Sequence, residues 1–311
     1  MPLTLVTQSH IDTESAIALS AQIINAKILD IFERFEPDDD GELELNEAIK
    51  YFVSNGGKCL RGFVTLECAK IFNFNVTDVL PFAVAMELVH AYSLIYDDLP
   101  SIDNADFRRD KQVMHKKFSE STAILAGSAL LTHAFRILAN DTEAFSHQAR
   151  LRVVSELSNC VGIMGMIGGQ ALDLILLSKK DTQNDEFVRM NRKKTGALFS
   201  FASSVGSMIS HSNHNIYSTM QRFGYDIGLM YQILDDIHDI SEDVSRGLQK
   251  VSDKELAIKQ NFVSHLGGKD GAIQYIKMLQ EKTKLSLLHS EIKTSELSTL
   301  LAFVDYIADI I

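Results

Sequence analysis

The chain has 311 residues, 46% of them apolar, and a net charge of −11. That is long enough for one large core, and the acidic balance excludes nucleic acid as a partner, since a general binder needs a basic surface against phosphates. Three cysteines, Cys59, Cys68 and Cys160, neither complete a set of bridges nor show metal-type spacing, so they read as reduced thiols in a cytoplasmic protein.

The first ten residues carry neither the basic and apolar runs of a signal peptide nor the Arg-rich character of a transit peptide. Prolines stand only at 2, 37, 81 and 100, so long stretches run without a backbone breaker. Helical periodicity dominates and no run alternates as a strand would, which gives an all-α chain with residues 1–311 as one helical domain.

The first predicted helix, 12–35, leads to an irregular acidic segment, Glu36–Gly41, and then to helix 42–54. Glu36, Asp38, Asp40, Gly41 and Glu47 match EF-hand loop spacing. The match fails at its first position, which is Glu followed by Pro37, and no second loop pairs with it; an acidic interhelical turn accounts for it better. Asn55-Gly56-Gly57-Lys58-Cys59-Leu60-Arg61 then sets paired glycines before two cations at the start of helix 58–72. Glycines let backbone approach a ligand, and a helix N-terminus favours anions; the nucleotide P-loop spacing is absent.

Helix 78–98 carries the apolar stripe Leu80, Val84, Leu88, Ala91 and Ile95, and ends at Tyr96-Asp97-Asp98-Leu99-Pro100. His90, Ser93 and Asp97 share a face of it. Pro100 disfavours helix at Leu99, so Asp103 returns from a loop, and Leu99–Lys117, with Arg108 and Arg109, is irregular. Helices 120–139 and 146–178 follow. Val161–Leu177 is the most apolar stretch, but it holds Gly168, Gly169, Gln170 and Asp173, which a membrane span would not carry cheaply; it reads as a buried helix, with no stable membrane insertion.

Helix 185–209 contains Lys193-Lys194-Thr195-Gly196, two cations beside a hydroxyl. Helix 213–242 has the stripe Ile216, Met220, Phe223, Ile227, Met230 and Leu234. Asp235 and Asp239 lie one turn apart near its end, and Gly224 and Gly228 share their face with Gln232, which favours close approach by a partner there. Ser241–Ser252 reads as an irregular flap, followed by helices 253–265, 268–289 and 295–309.

Crowded carboxylates repel one another unless a divalent cation neutralises them. Magnesium takes one or two carboxylates and completes its shell with water and phosphate oxygens, so two such clusters without thiols or His pairs point to a magnesium–diphosphate site. Either cluster alone is equally an exposed acidic helix face.

The ordered set resembles the trans-isoprenyl diphosphate synthases of the bacterial farnesyl diphosphate synthase (geranyltranstransferase) type. It runs through Leu45-Asn46-Glu47-Ala48, Gly57-Lys58-Cys59-Leu60-Arg61, His90 to Pro100, Arg108-Arg109, Gly168 to Asp173, Lys194 to Phe199 and Gly228 to Asp239. The resemblance implies the isoprenoid synthase fold, with a substrate cavity among long helices, and condensation of isopentenyl diphosphate with dimethylallyl or geranyl diphosphate to farnesyl diphosphate. It implies small diphosphate substrates, a homodimer, and magnesium, with two ions at the first motif (Asp97, Asp103, with Asp98 less directly) and one at the second (Asp235, supported by Asp239). Lys58, Arg61, His90 and Arg109 match the isopentenyl diphosphate positions. Arg108, Lys194, Thr195, Gln232 and either Lys250 or Lys259 match the allylic side, with Lys194, Thr195 and Gln232 in catalytic roles. Tyr92, with Ser93 beside it, stands where chain length is set in the family.

Departures are Gly62 for Pro, Tyr96 for His, Asp110 for Gly and Asn191 for His. None removes a metal ligand or diphosphate anchor, but Asp110 is expected to weaken the homoallylic site beside it. The alternatives are a geranylgeranyl diphosphate synthase, a terpene cyclase or a non-catalytic regulatory subunit. The cyclase would need neither Lys58 and Arg61 nor the second motif, and the subunit would lack one motif.

Overall fold

A computed structural model describes residues 3–140, 144–179, 182–246 and 263–310. In chain order its helices are α1 (Leu3–Glu33), α2 (Asp40–Val53), α3 (Leu60–Lys70), α4 (Val76–Asp97), α5 (Met114–Lys117), α6 (Glu120–Ala139), α7 (His147–Val161) and α8 (Met166–Ser178). They continue as α9 (Asn184–Asn191), a π-helical turn (Arg192–Gly196), α10 (Ala197–Ile209), α11 (His214–Arg246), α12 (Gly268–Leu288) and α13 (Ser298–Asp309). Among the described residues the only strands are β1 (Phe107–Arg108) and β2 (Lys111–Gln112), an antiparallel pair between α4 and α5.

Two compact units emerge, one of Met1–Thr13, Glu67–Asn73 and Ser155–Ile311, the other of Glu14–Leu66 and Phe74–Val154. In the second, α4 is buried over most of its circumference, from Val79 through Phe82–Val89 to Ala91, Tyr92 and Ile95. It packs closely on α6, which offers Ala123, Ala126, Gly127, Leu130 and Ala134. Small side chains bring the two axes together. In the first unit every residue of α10 is buried. Three of its serines are satisfied by backbone carbonyls: Ser203 donates to Ser200 O (3.0 Å) and to Met220 O of α11 (2.6 Å), Ser204 to Phe201 O and Ser207 to Ser204 O. Against α10 lies α11, whose stripe Met220, Phe223, Ile227, Met230 and Leu234 is buried as its spacing predicts.

Several expected boundaries move. The expected helix 146–178 breaks after Val161, and Ile163 and Met164 stand 81% and 75% exposed at the break. Gly165 makes the turn; a Cβ there would lie 1.9 Å from Cys160 O, so no other residue fits without rearrangement. Val161–Leu177 is therefore not one buried helix, and α8 leaves Ile167 and Ile175 exposed as well. Ser241–Arg246, expected to be irregular, continues α11, because no Gly or Pro interrupts the chain before Gly247. Most of the expected helix 253–265 lies outside the described residues. Helix α2 begins at Asp40, two residues before the expected start at 42, while 36–39 stays an interhelical turn: Asp39 accepts from Glu42 N (2.9 Å), and Glu42 accepts from Asp38 N (2.9 Å). Four described segments are long and apolar enough to cross a membrane by length and composition, Asp12–Glu33, Val76–Asp97, Glu120–Ala139 and His147–Leu176.

Candidate active site

Within the unit formed by 14–66 and 74–154, the glycine loop and the β-hairpin are tied together. Gly56 turns the chain at φ +55°. Asn25 Nδ2 donates to Gly57 O (3.2 Å), and Asn55 Nδ2 donates to Arg108 O (3.3 Å) and Arg109 O (3.4 Å). The Arg109 guanidinium lies over Gly57, where a Cβ would approach Nη2, Nη1 and Cζ to 2.9, 3.1 and 3.2 Å. The absent side chain is thus occupied by an arginine. Arg109 and Asp110, at φ +51° and +62°, form the two-residue hairpin turn. Glycine adopts that conformation without cost and aspartate tolerates it, which accounts for both the common Gly and the Asp110 seen here.

Arg61 reaches His90 with Nη1 and Nε2 3.2 Å apart. Arginine only donates, so His90 Nε2 accepts. Burial, with Arg61, Arg109 and Arg108 nearby, holds the His90 pKa well below the usual histidine range, so the ring is neutral at pH 7. His90 and Arg109 line one cleft with Gly57, Cys59 and Glu87. Lys58 is exposed at the loop. Glu87, to which the sequence assigns no role, is buried and accepts from Gly62 N (2.7 Å), a donor that the family's usual proline would lack. Burial raises its pKa, against the Gly62 hydrogen bond, Arg61 and Arg109.

The first aspartate motif closes α4 as Pro100 requires. Past Asp97 the chain folds back, with Asp103 N donating to Asp97 O (2.9 Å) and Ala105 N to Asp98 O (3.2 Å). This returns Asp103 beside Asp97, as expected. Asp98 is 2% exposed and grips Arg108, which donates Nε to both carboxylate oxygens (3.0 and 2.9 Å) and Nη2 to Oδ1 (2.8 Å). Asp98 therefore positions an arginine rather than presenting an open carboxylate.

In the other unit, Lys194 donates to Asp173 Oδ2 (2.5 Å). Thr195 Oγ1 donates to Gln232 Oε1 (2.7 Å), whose Nε2 donates to the buried Asp236 Oδ1 (3.0 Å). The π-helical turn widens the helix where Lys194 and Thr195 sit, a distortion frequent at functional sites. Asp235 is exposed on α11, and the Asp239 side chain, Lys250 and Lys259 lie outside the described residues. Gly224 and Gly228 do admit a close partner, but it is protein: their Cβ positions fall 2.2 Å from Phe199 O and 2.7 Å from Gly196 Cα. Asp173 and Asp236 lie inside recognisable motifs, yet only their contacts with Lys194 and Gln232 reveal what they do.

Among the described residues no set of three His, Cys, Asp or Glu side chains could hold a metal by itself. Magnesium needs only one or two carboxylates when phosphate and water complete its shell. The fold-back brings Asp97 and Asp103, both oxygen donors, close along the chain, and the Asp98 carboxylate is held by Arg108.

An all-α fold with one aspartate motif closing α4 and a second within α11 is that of the isoprenoid synthases. The family described as Polyprenyl synthetase matches residues 42–260. A farnesyl diphosphate synthase of Buchnera aphidicola is 38% identical over 247 residues, covering 78% of this chain and 85% of that protein. A chloroplastic geranylgeranyl pyrophosphate synthase of Catharanthus roseus is 30% identical over 302 residues, covering 97% and 82%. A crystal structure of an FPP/GFPP synthase from Zymomonas mobilis superposes with a TM-score of 0.82 at 30% identity, covering 96% of this chain and 99% of that one. The chain belongs to the polyprenyl synthetase family, and it is a prenyltransferase of isoprene biosynthesis.

Proposed function

We propose that the protein makes farnesyl diphosphate from isopentenyl diphosphate and dimethylallyl or geranyl diphosphate, as a magnesium-dependent cytoplasmic homodimer without stable membrane insertion. The observation that carries the reading is the Arg61–His90–Arg109 grouping in the same unit as Asp97 and Asp103. Arg61 and Arg109 carry the positive charge for an anion, and a neutral His90 accepts from Arg61 without adding a third like charge beside them. Arg61, His90, Arg109 and the exposed Lys58 hold isopentenyl diphosphate. Arg108, aimed by Asp98, takes the allylic diphosphate, with Lys194, Thr195, Gln232 and Lys250 or Lys259. Asp97 and Asp103 serve two magnesium ions, and Asp235 and Asp239 a third. When bound, magnesium neutralises the diphosphate and eases its departure.

The allylic C–O bond breaks and its electron pair leaves with diphosphate. The isopentenyl alkene supplies the pair for the new C–C bond, and the departing diphosphate takes the proton then lost. Thr195 spends its hydroxyl proton on Gln232, which leaves its oxygen lone pairs to face developing positive charge. Apolar helices keep water from the cation. Exposed apolar residues support a homodimer: Ile124, Leu125 and Leu151 in one unit, Ile163, Met164 and Ile175 in the other. Farnesyl length is supported by Tyr92, a nearly buried aromatic one turn before the motif.

Asp97→Ala and Asp235→Ala test the reading. Each is expected to cut turnover by roughly three orders of magnitude or more, the scale of removing one charge interaction from the transition state, with an unchanged Tm. Near-full activity in either at saturating magnesium would overturn the assignment.

A further inference from the structure

On α4, Tyr92 and Tyr96 lie one turn apart, their ring centroids 4.7 Å from each other and the planes inclined at 58°. Tyr96 OH sits 2.9 Å from Ser128 Oγ and 3.2 Å from Ile124 O, both on α6. Ser128 Oγ itself donates to Ile124 O (2.9 Å), so it accepts from the Tyr96 hydroxyl. Between these two anchors stands Gly127. A Cβ there would fall 2.6 and 2.9 Å from Cε2 and Cδ2 of Tyr96, and 3.5 Å from Cδ2 of Tyr92. The Tyr96 ring therefore fills the space a side chain on α6 would take, and its hydroxyl is tethered to that helix at its far edge. Tyr92, 9% exposed, lies against the Tyr96 ring and meets Gly127 of α6 through Cδ2.

We propose that Tyr96, seated over Gly127 and tethered to Ser128, is a positioning residue for product length: it holds the Tyr92 ring across the path of the prenyl tail. The proposal rests on the reading of Tyr92 as the floor of that path. A tyrosine on a helix has two favoured χ1 wells, and a neighbouring ring in van der Waals contact removes the freedom to leave the occupied one. A growing tail gains free energy with each methylene buried, so it presses on any floor that can yield. Without the Tyr96 ring, a ring-sized space opens beside Tyr92, and the floor turns aside. A residue that merely packs α4 on α6 would change stability and leave product length alone.

The test is product analysis from isopentenyl and dimethylallyl diphosphates, comparing the parent protein with Tyr92→Ala, Tyr96→Ala and Tyr96→Leu. The leucine keeps apolar volume and folding should alanine fail. Tyr92→Ala is expected to lengthen the product. With Tyr92 intact, Tyr96→Ala or Tyr96→Leu is expected to raise the ratio of the next longer product to the parent product by about tenfold or more, the discrimination that one displaced group in an apolar pocket commands. If Tyr92→Ala leaves the length unchanged, the floor reading fails and this proposal with it. If Tyr92→Ala lengthens the product while a folded, active Tyr96 variant keeps the parent ratio, the proposal alone is overturned.

Discussion

Gly57→Ala separates substrate binding from folding more cleanly than removal of any charged residue. Gly57 is not among the glycines with positive φ, so its backbone accepts alanine. The new methyl would stand 2.9 Å from Arg109 Nη2, where ordinary contact needs about 3.5 Å or more, so the guanidinium must withdraw by roughly half an ångström to one ångström. That guanidinium is the far end of a flexible side chain, and the fold absorbs the shift. Stability should change by no more than about 1 kcal/mol, with alanine's smaller unfolded-state entropy working in its favour. A charge-assisted hydrogen bond to diphosphate is worth about 1.5–3 kcal/mol, and misaligning it should raise KM for isopentenyl diphosphate about ten- to a hundredfold. KM for the allylic substrate should stay within about threefold, because an arginine–phosphate hydrogen bond acts locally. Steady-state kinetics with each substrate varied in turn, beside a thermal melt, decides the matter. Equal rises in both KM values, or an unchanged isopentenyl KM in a folded protein, would refute the placement of Arg109.

Arg108→Ala should act on stability as well as on kinetics. It strands the Asp98 carboxylate, 3% exposed in its side chain; breaking a buried pair costs about 3–5 kcal/mol, and the 30% exposure of Arg108 places this case at the low end. The melt should fall accordingly, and Asp98→Asn in the Arg108→Ala background should recover most of it without recovering the allylic KM. A single variant that melts like the parent would contradict the pairing. Glu87→Gln should change the pH dependence of stability. The folded pKa of Glu87 is raised by burial, so its contribution is fully present below the unfolded value near 4.5 and is lost as pH rises through the higher folded value. The glutamine variant, which never ionises, should therefore gain on the parent in denaturant midpoint as pH rises from acid to neutral. A difference that stays constant with pH would show that burial does not perturb this carboxyl.

What the sequence makes legible is what repeats along a helix or sits within one motif. The stripe of α11 reads directly because its apolar residues recur at helical steps and are buried together. Asp97 and Asp103 are readable for a similar local reason, since Pro100 must end the helix between them. Pairings across elements are not legible. Nothing in Asp98 announces that Arg108, ten residues on and in a hairpin, will occupy its carboxylate. Nor does Gly127 disclose that a tyrosine ring of α4 fills its missing side chain, or Gly57 that an arginine does. The glycines of α11 mislead for the same reason: their face is right, but the close partner is the backbone of α10 and the π-helical turn. The break after Val161 hides within an apolar composition, because Gly162 and Gly165 are few among residues that otherwise favour helix.

The most direct test of the central claim is the chain length of the product that the purified chain makes alone from isopentenyl and dimethylallyl diphosphates with magnesium. Farnesyl diphosphate is the expected principal product; a principal product of geranylgeranyl length or longer, or none without a second protein, would contradict the account.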